Sequence, residues 1–229
     1  MNFTHIFFDL DHTLWDYDKN ANFVLTNLYD EFGLSKYISA SSSEFVDHFF
    51  TTNDSLWTKY NQGLIGRDDI RLTRFQKVLE GLGCEEPLDH LGMNDYFLYQ
   101  CPRQSEIMEG AEIILGYLSK KYHLSIITNG FDDVQSVKLK ACGLGKYFSH
   151  VFTSESTGYK KPAREIFDFA LTTVAAEREN ALMIGDNPMT DILGATNAGI
   201  TPLLYNPTGT VKSECELQVN HLSELMKIL

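Results

Sequence analysis

Residues 6–14, Ile-Phe-Phe-Asp-Leu-Asp-His-Thr-Leu, constrain this chain more than any other stretch. The apolar run Ile6-Phe7-Phe8 reads as a buried parallel strand. It stops at two carboxylates, Asp9 and Asp11, followed by Thr13. Open α/β sheets hold their ligands beyond the carboxyl ends of their strands, where these acids fall. Two carboxylates this close repel and are costly to desolvate together; a cation or a shared proton resolves the conflict. The pattern points to a metal-dependent acid–nucleophile pair. A strand ending in a polar turn, with Asp as a helix N-cap, accounts for the same residues taken alone. Segments further along the chain favour the first reading.

The 229 residues suffice for one large domain, or one domain carrying an insert. With 43% apolar residues, a substantial core is expected. The net charge of −12 argues against a nucleic-acid polymer or an anionic membrane as main partner. An anionic substrate would need local cations or a metal. Cys84, Cys101, Cys142 and Cys215 are widely spaced with no C-x-x-C, so free thiols are expected. The start lacks a basic segment and reaches Asp9 too soon for a signal peptide. No apolar run approaches membrane-spanning length. A cytoplasmic protein is the expectation; nothing signals an oligomeric state.

The second half alternates strand and helix patterns. Strands are expected at 124–127, 150–153, 181–184 and 203–205, and helices at 134–141, 163–176, 189–198 and 222–228. This alternation predicts an α/β fold with a parallel sheet and crossover helices. Residues 16–104 differ, with helical periodicity and few strand signals. One helix is expected through Phe23, Leu25, Leu28, Tyr29 and Phe32, and a second, starting near Ser41, through Phe45 and Phe49. A third carries Ile70, Leu72, Phe75 and Val78, and a fourth spans 88–99. The simplest architecture is a core of residues 1–15 and 105–229 with an all-helical insert, 16–104, lying as a lid above the strand ends.

Four segments fall near strand ends or helix starts: Asp9/Asp11/Thr13, Thr128-Asn129-Gly130, Lys161-Pro162, and Gly185-Asp186 with Asp191 five residues beyond Asp186. This ordered set resembles the haloacid dehalogenase-like (HAD) superfamily, made largely of phosphatases, and implies a Rossmann-like sheet. A phosphoryl group carries charge that must be neutralised before a carboxylate attacks it. Mg²⁺ supplies that neutralisation. The resemblance implies Asp9 as nucleophile and Asp11 as acid, then base. It makes Asp9, the Asp11 backbone carbonyl and Asp186 the metal ligands. Asp191 would orient a metal-bound water or Lys161. Thr128 and Asn129, with nearby N–H groups, would bind phosphate, and Lys161 would neutralise it. Thr128 as a capping residue and Asp191 as an N-cap remain the plain alternatives. In the tandem Lys160-Lys161, the lysine directly before proline is the one the family pattern selects.

Asp11 favours phosphate-ester hydrolysis, since dehalogenases resemble this chain but usually lack the second aspartate. The insert and the stretch Ile126–Phe131 resemble bacterial HAD-type pyrimidine 5′-nucleotidases, which implies a nucleoside monophosphate substrate. A sugar phosphate, or another small phosphomonoester such as phosphoglycolate, is the alternative. A 2-haloacid dehalogenase or a non-catalytic binding protein are further ones. In the insert, Trp57 and Tyr60 offer π-faces for a base, although core aromatics are the plainer reading. Arg67, Arg71 and Arg74 form one helix stripe. Attraction of an anion is one reading of it, and a solvated, salt-bridged face is the preferred one. His12 is read as a variable position in the catalytic loop, and Trp15 as a cleft or packing residue.

Overall fold

The structure, a computed structural model, describes residues 2–229. It divides into two compact units, the chain through Tyr17 with Ser105–Leu229, and Asp18–Gln104.

The first unit holds a parallel sheet of β1 (His5–Phe8), β2 (His123–Thr128), β3 (His150–Thr153), β4 (Ala181–Gly185), β5 (Thr201–Tyr205) and β6 (Gln218–Val219). The strand order is β3-β2-β1-β4-β5-β6. β1 is therefore central and needs apolar side chains on both faces, which Ile6, Phe7 and Phe8 provide. Each such burial stabilises the fold by about 1.5–3 kcal/mol. On one face Phe7, Ile127, Phe152 and Met183 pack against Ile166, Phe167, Ala170 and Ala195 of the crossover helices.

The second unit is helical: α1 (Tyr17–Glu31), α2 (Ser42–Asn61), α3 (Arg67–Gly81) and α4 (His90–Gln100). Ser41 starts α2 with a capping box: its Oγ accepts from the Glu44 N–H, and the Glu44 carboxylate accepts from the Ser41 N–H. Phe49 of α2 meets Phe75 of α3 and Phe97 of α4, with ring centroids 5.3 and 5.0 Å apart. Phe23 and Leu72, expected on the inward stripes, are 57% and 54% exposed. The stripe of α1 instead runs through Val24, Leu25, Leu28 and Tyr29. Arg74 corrects the expected solvated arginine face. It is buried, its guanidinium lies 4.7 Å from the Phe97 ring centroid, and it donates to Asn53 and Asn94.

The remaining helices belong to the first unit: α5 (Ala111–Leu118), α6 (Asp132–Ala141), α7 (Ser154–Thr157), α8 (Arg164–Val174), α9 (Leu193–Ala198) and α10 (Leu225–Ile228). β6, α5 and α7 were not expected. β6 and α7 are too short to show a period, and α5 (Ala-Glu-Ile-Ile-Leu-Gly-Tyr-Leu) is nearly unbroken apolar sequence. The helix expected from Met189 begins as a π-helical turn, Pro188–Ile192, and becomes α-helical only at Leu193. No helix among the described residues is long and apolar enough to cross a membrane. None of the four cysteines is in a disulfide.

Candidate active site

β1 pairs with β2 on one side and β4 on the other, Phe8 facing Ile126 and Ile184. The carboxyl ends of these three adjacent strands therefore converge, and they and the turns that follow carry Asp9/Asp11, Thr128/Asn129 and Asp186. The Asp9 N–H extends the ladder by donating to the Ile184 carbonyl at 2.9 Å. The chain then coils tightly. The Leu10 carbonyl accepts from the N–H groups of Leu14 and Trp15, and the His12 N–H donates to the Trp15 carbonyl. This loop puts His12 in the left-handed region, φ 62°, which a non-glycine residue adopts only at some cost.

Lys161 closes the site from the β3 side. Its ammonium donates to Asp9 Oδ1 at 2.5 Å, Asp191 Oδ1 at 2.6 Å and the Ile127 carbonyl at 2.8 Å. All three of its hydrogens are therefore used. Of the tandem lysines, it is Lys161 whose ammonium reaches Asp9. Burial disfavours its charge, but the carboxylates of Asp191 and Asp9 outweigh that and raise its pKa. Asn129 fixes the backbone at this point: the Lys161 N–H donates to its Oδ1, and its Nδ2 donates to the Lys161 carbonyl. The Asn129 side chain thus grips the lysine loop, a structural task the expected phosphate-binding role did not include.

Asp186 and Asp191 follow β4. Thr13 of the first loop donates its hydroxyl to Asp186 Oδ1 at 3.0 Å. Asp191 lies on the π-helical turn, capped by Asn187, whose Oδ1 accepts from the N–H groups of Met189 and Thr190. The Asn187 N–H donates to Asp191 Oδ2, so both Asp191 oxygens are engaged. Oxygens of Asp9, Asp186 and Asp191 lie within 4.8 Å of one another. Burial, then the neighbouring carboxylates, push Asp9 well above the usual carboxylate range, against the pull of Lys161. Burial and Asp191 do the same to Asp186. Three converging carboxylates meet one ammonium, so the set is short of positive charge and purely oxygen in donor type. It fits a hard divalent cation.

Thr128 Oγ1 accepts from the Gly130 N–H at 3.0 Å and from Gln135 Nε2 at 2.9 Å. A hydroxyl has two acceptor lone pairs and one proton, so the proton is left to be donated onward. The Gly130 contact is a local turn bond rather than a helix cap, since α6 begins at Asp132 with Phe131 as its N-cap and no capping side chain.

Asp11 stands apart from the three carboxylates. Its Oδ1 pairs with Lys138 Nζ at 2.5 Å and its Oδ2 accepts from Gln135 Nε2 at 2.9 Å. Burial would raise its pKa, but the charge of Lys138 prevails and lowers it. Lys138 is buried, and its ammonium lies 4.4 Å from the centroid of the fully buried Trp15 ring. Neither Gln135 nor Lys138 was singled out from the sequence. The available signal was a glutamine and a lysine three residues apart on a helix that also carries Val134, Val137 and Leu139. Polar residues on an inward stripe are unusual unless they have partners.

Of the other expected residues, Trp57, Tyr60 and Arg67 belong to the helical unit. Trp57 is half-buried and Tyr60 buried, their rings edge-to-face at 5.4 Å, and Arg67 opens α3.

Comparison with known proteins bears on the family and the fold. The chain is 32% identical to the pyrimidine 5′-nucleotidase PynA of Streptococcus pneumoniae, covering 90% of this chain and 85% of the relative. It is also 32% identical to the pyrimidine 5′-nucleotidase YjjG of Escherichia coli, over 95% and 97% of the two chains. Among solved structures, the magnesium-bound putative HAD-hydrolase YfnB of Bacillus subtilis superposes with a TM-score of 0.91 at 26% identity, covering 100% of this chain and 99% of its own. The sequence profile of the haloacid dehalogenase-like hydrolases matches residues 3–199. With its carboxylates on the turns after β1 and β4 and its lysine held between Asp9 and Asp191, the chain belongs to the haloacid dehalogenase-like hydrolase family.

Proposed function

We propose that the protein is a Mg²⁺-dependent phosphomonoesterase that works through an aspartyl-phosphate and acts on nucleoside 5′-monophosphates, preferring pyrimidines. The observation that carries the reading is the separation of the two first-loop acids. Asp9 is held by Lys161 among the carboxylates, while Asp11 is held by Lys138 and Gln135 outside them. One carboxylate is thereby set up to attack and the other to handle a proton.

In the first step an Asp9 oxygen attacks phosphorus. The bond from phosphorus to the ester oxygen breaks, its electron pair stays on that oxygen, and Asp11, which must be protonated for this step against the downward pull of Lys138 on its pKa, gives the oxygen that proton. In the second step water attacks the same phosphorus and passes a proton to Asp11. The bond to Asp9 breaks, which regenerates the carboxylate and frees inorganic phosphate. Thr128 donates its spare hydroxyl proton to a phosphoryl oxygen, and Lys161 keeps Asp9 oriented. Asp9, Asp186 and the Asp11 backbone carbonyl would hold Mg²⁺, with Asp191 orienting Lys161. A cation held there supplies charge neutralisation for the phosphoryl oxygens.

The substrate preference rests on the relatives named above. In this reading residues 16–104 form a cap domain that selects the substrate, residues 1–15 and 105–229 form the core domain, and Trp57, Tyr60 and Arg67 are candidate substrate contacts. The test is phosphate release, with Mg²⁺ and with chelator, from UMP, dUMP, TMP, AMP, GMP, sugar phosphates and phosphoglycolate. We expect Mg²⁺-dependent release, highest on pyrimidine monophosphates and lowered at least ~10⁴-fold in Asp9→Asn. Preference for a sugar phosphate overturns the nucleotide assignment. Full activity in Asp9→Asn overturns the covalent route.

A further inference from the structure

We propose that Lys138 and Gln135 are positioning residues for Asp11, two arms of α6 that hold its carboxylate where the leaving oxygen departs. The inference rests on the phosphomonoesterase reading and deepens it, giving a catalytic consequence to two residues which that reading uses only as the neighbours that hold Asp11. The arms are three residues apart on one helix, so they point the same way. Each takes a different oxygen of Asp11: Lys138 Nζ reaches Oδ1 at 2.5 Å, and Gln135 Nε2 reaches Oδ2 at 2.9 Å. A carboxylate gripped at both oxygens by groups on a rigid element has its rotamer fixed.

Lys138 is itself fixed. It is buried, with its ammonium 4.4 Å from the Trp15 ring centroid and 5.8 Å from that of Tyr17. Those rings lie just beyond Asp11 in the chain, so the loop that carries the acid also walls in the cation that holds it. Gln135 makes a second connection. The same Nε2 donates to Thr128 Oγ1 at 2.9 Å, tying the proton-handling carboxylate to the hydroxyl assigned to phosphate. Acid, phosphate donor and α6 thus form one braced unit. Neither arm contacts the Asp9, Asp186 and Asp191 cluster in any hydrogen bond or ion pair shown among the described residues, so their effect runs through Asp11 and Thr128.

A positioning role makes a signature that simple loss of packing does not. A nucleoside alkoxide needs a proton to leave, whereas a nitrophenolate leaves without one. The parameter kcat/KM includes steps only through departure of the alcohol, so it isolates the first proton transfer. The experiment compares kcat/KM for UMP and p-nitrophenyl phosphate in wild type, Lys138→Ala, Lys138→Arg and Gln135→Ala, with thermal melts of each. We expect Lys138→Ala to lose about 10- to 100-fold on UMP and far less on p-nitrophenyl phosphate. Lys138→Arg should recover most of that loss, and Gln135→Ala should show the same selectivity to a smaller extent. Equal losses on both esters, or none, overturn the inference. If Lys138→Ala does not fold, Gln135→Ala and Lys138→Arg decide: a Gln135→Ala without selective loss overturns it. A wild-type protein that hydrolyses neither ester is a different failure, that of the phosphomonoesterase reading itself.

Discussion

The side chain of Asn129 and the backbone of Lys161 exchange two hydrogen bonds, the Lys161 N–H donating at 2.8 Å and the Asn129 amide donating back at 2.9 Å. Residues 32 positions apart are thereby locked as if they were neighbours in a ladder. The lysine that meets Asp9 is only as well placed as this pair. Asn129→Ala strips both partners from a half-buried backbone unit, at a cost of about 1–3 kcal/mol. We expect a fall in melting temperature of roughly 2–10 °C and a loss in kcat of about tenfold or more. Melts and steady-state kinetics check this, and an Asn129→Ala protein as active as wild type sinks the positional argument.

Binding of a divalent cation should stabilise the fold, because Asp9 and Asp186 are both held above the usual carboxylate range by burial and by neighbouring negative charge. A ligand that binds only the folded state adds about 2.7 kcal/mol at a hundredfold excess over its dissociation constant. Thermal melts with and without Mg²⁺ should therefore differ by several degrees. The shift should shrink or vanish in Asp186→Asn. An equal shift in wild type and Asp186→Asn places the cation elsewhere.

Gly185 ends β4 against Asp191. A Cβ added there would lie 2.2 Å from Asp191 Oδ2 and 2.6 Å from its Cβ, inside the space of a buried side chain pinned at both oxygens. Gly185→Ala must displace Asp191, and Lys161 with it. Overpacking of this kind costs about 1–3 kcal/mol. We expect kcat to drop by more than that stability loss alone accounts for when assayed well below the melting temperature. Unchanged kcat in a destabilised Gly185→Ala would separate Asp191 from the chemistry.

Much of the sheet was legible because β1, β2, β4 and β5 are short apolar runs ending at turn or acid residues, and a buried parallel strand needs little else. The carboxylates were legible for the same reason: charge at the end of an apolar strand has few structural uses. Gln135 and Lys138 were not, because their partners, Asp11 and Thr128, are remote in sequence and no local period links them. Arg74 was misassigned to a solvated face for a related reason. Its aromatic and asparagine surroundings come from α2, α3 and α4 together, and a single-helix stripe does not reveal them. The π-helical start at Pro188 was hidden because it differs from an α-helix by hydrogen-bond register rather than by composition.

The central position of β1 bears on how the protein is made. His5 pairs with His123 on one side and with Ala181 on the other. At ribosomal speeds of about 5–20 residues per second, the first strand waits on the order of 10 s for its first partner and longer for its second. Throughout that interval Ile6, Phe7 and Phe8, among the most deeply buried side chains of the finished protein, have no sheet to enter. The segment that anchors the carboxylates is thus also an apolar stretch that stays without its sheet partners until β2 and then β4 have been made.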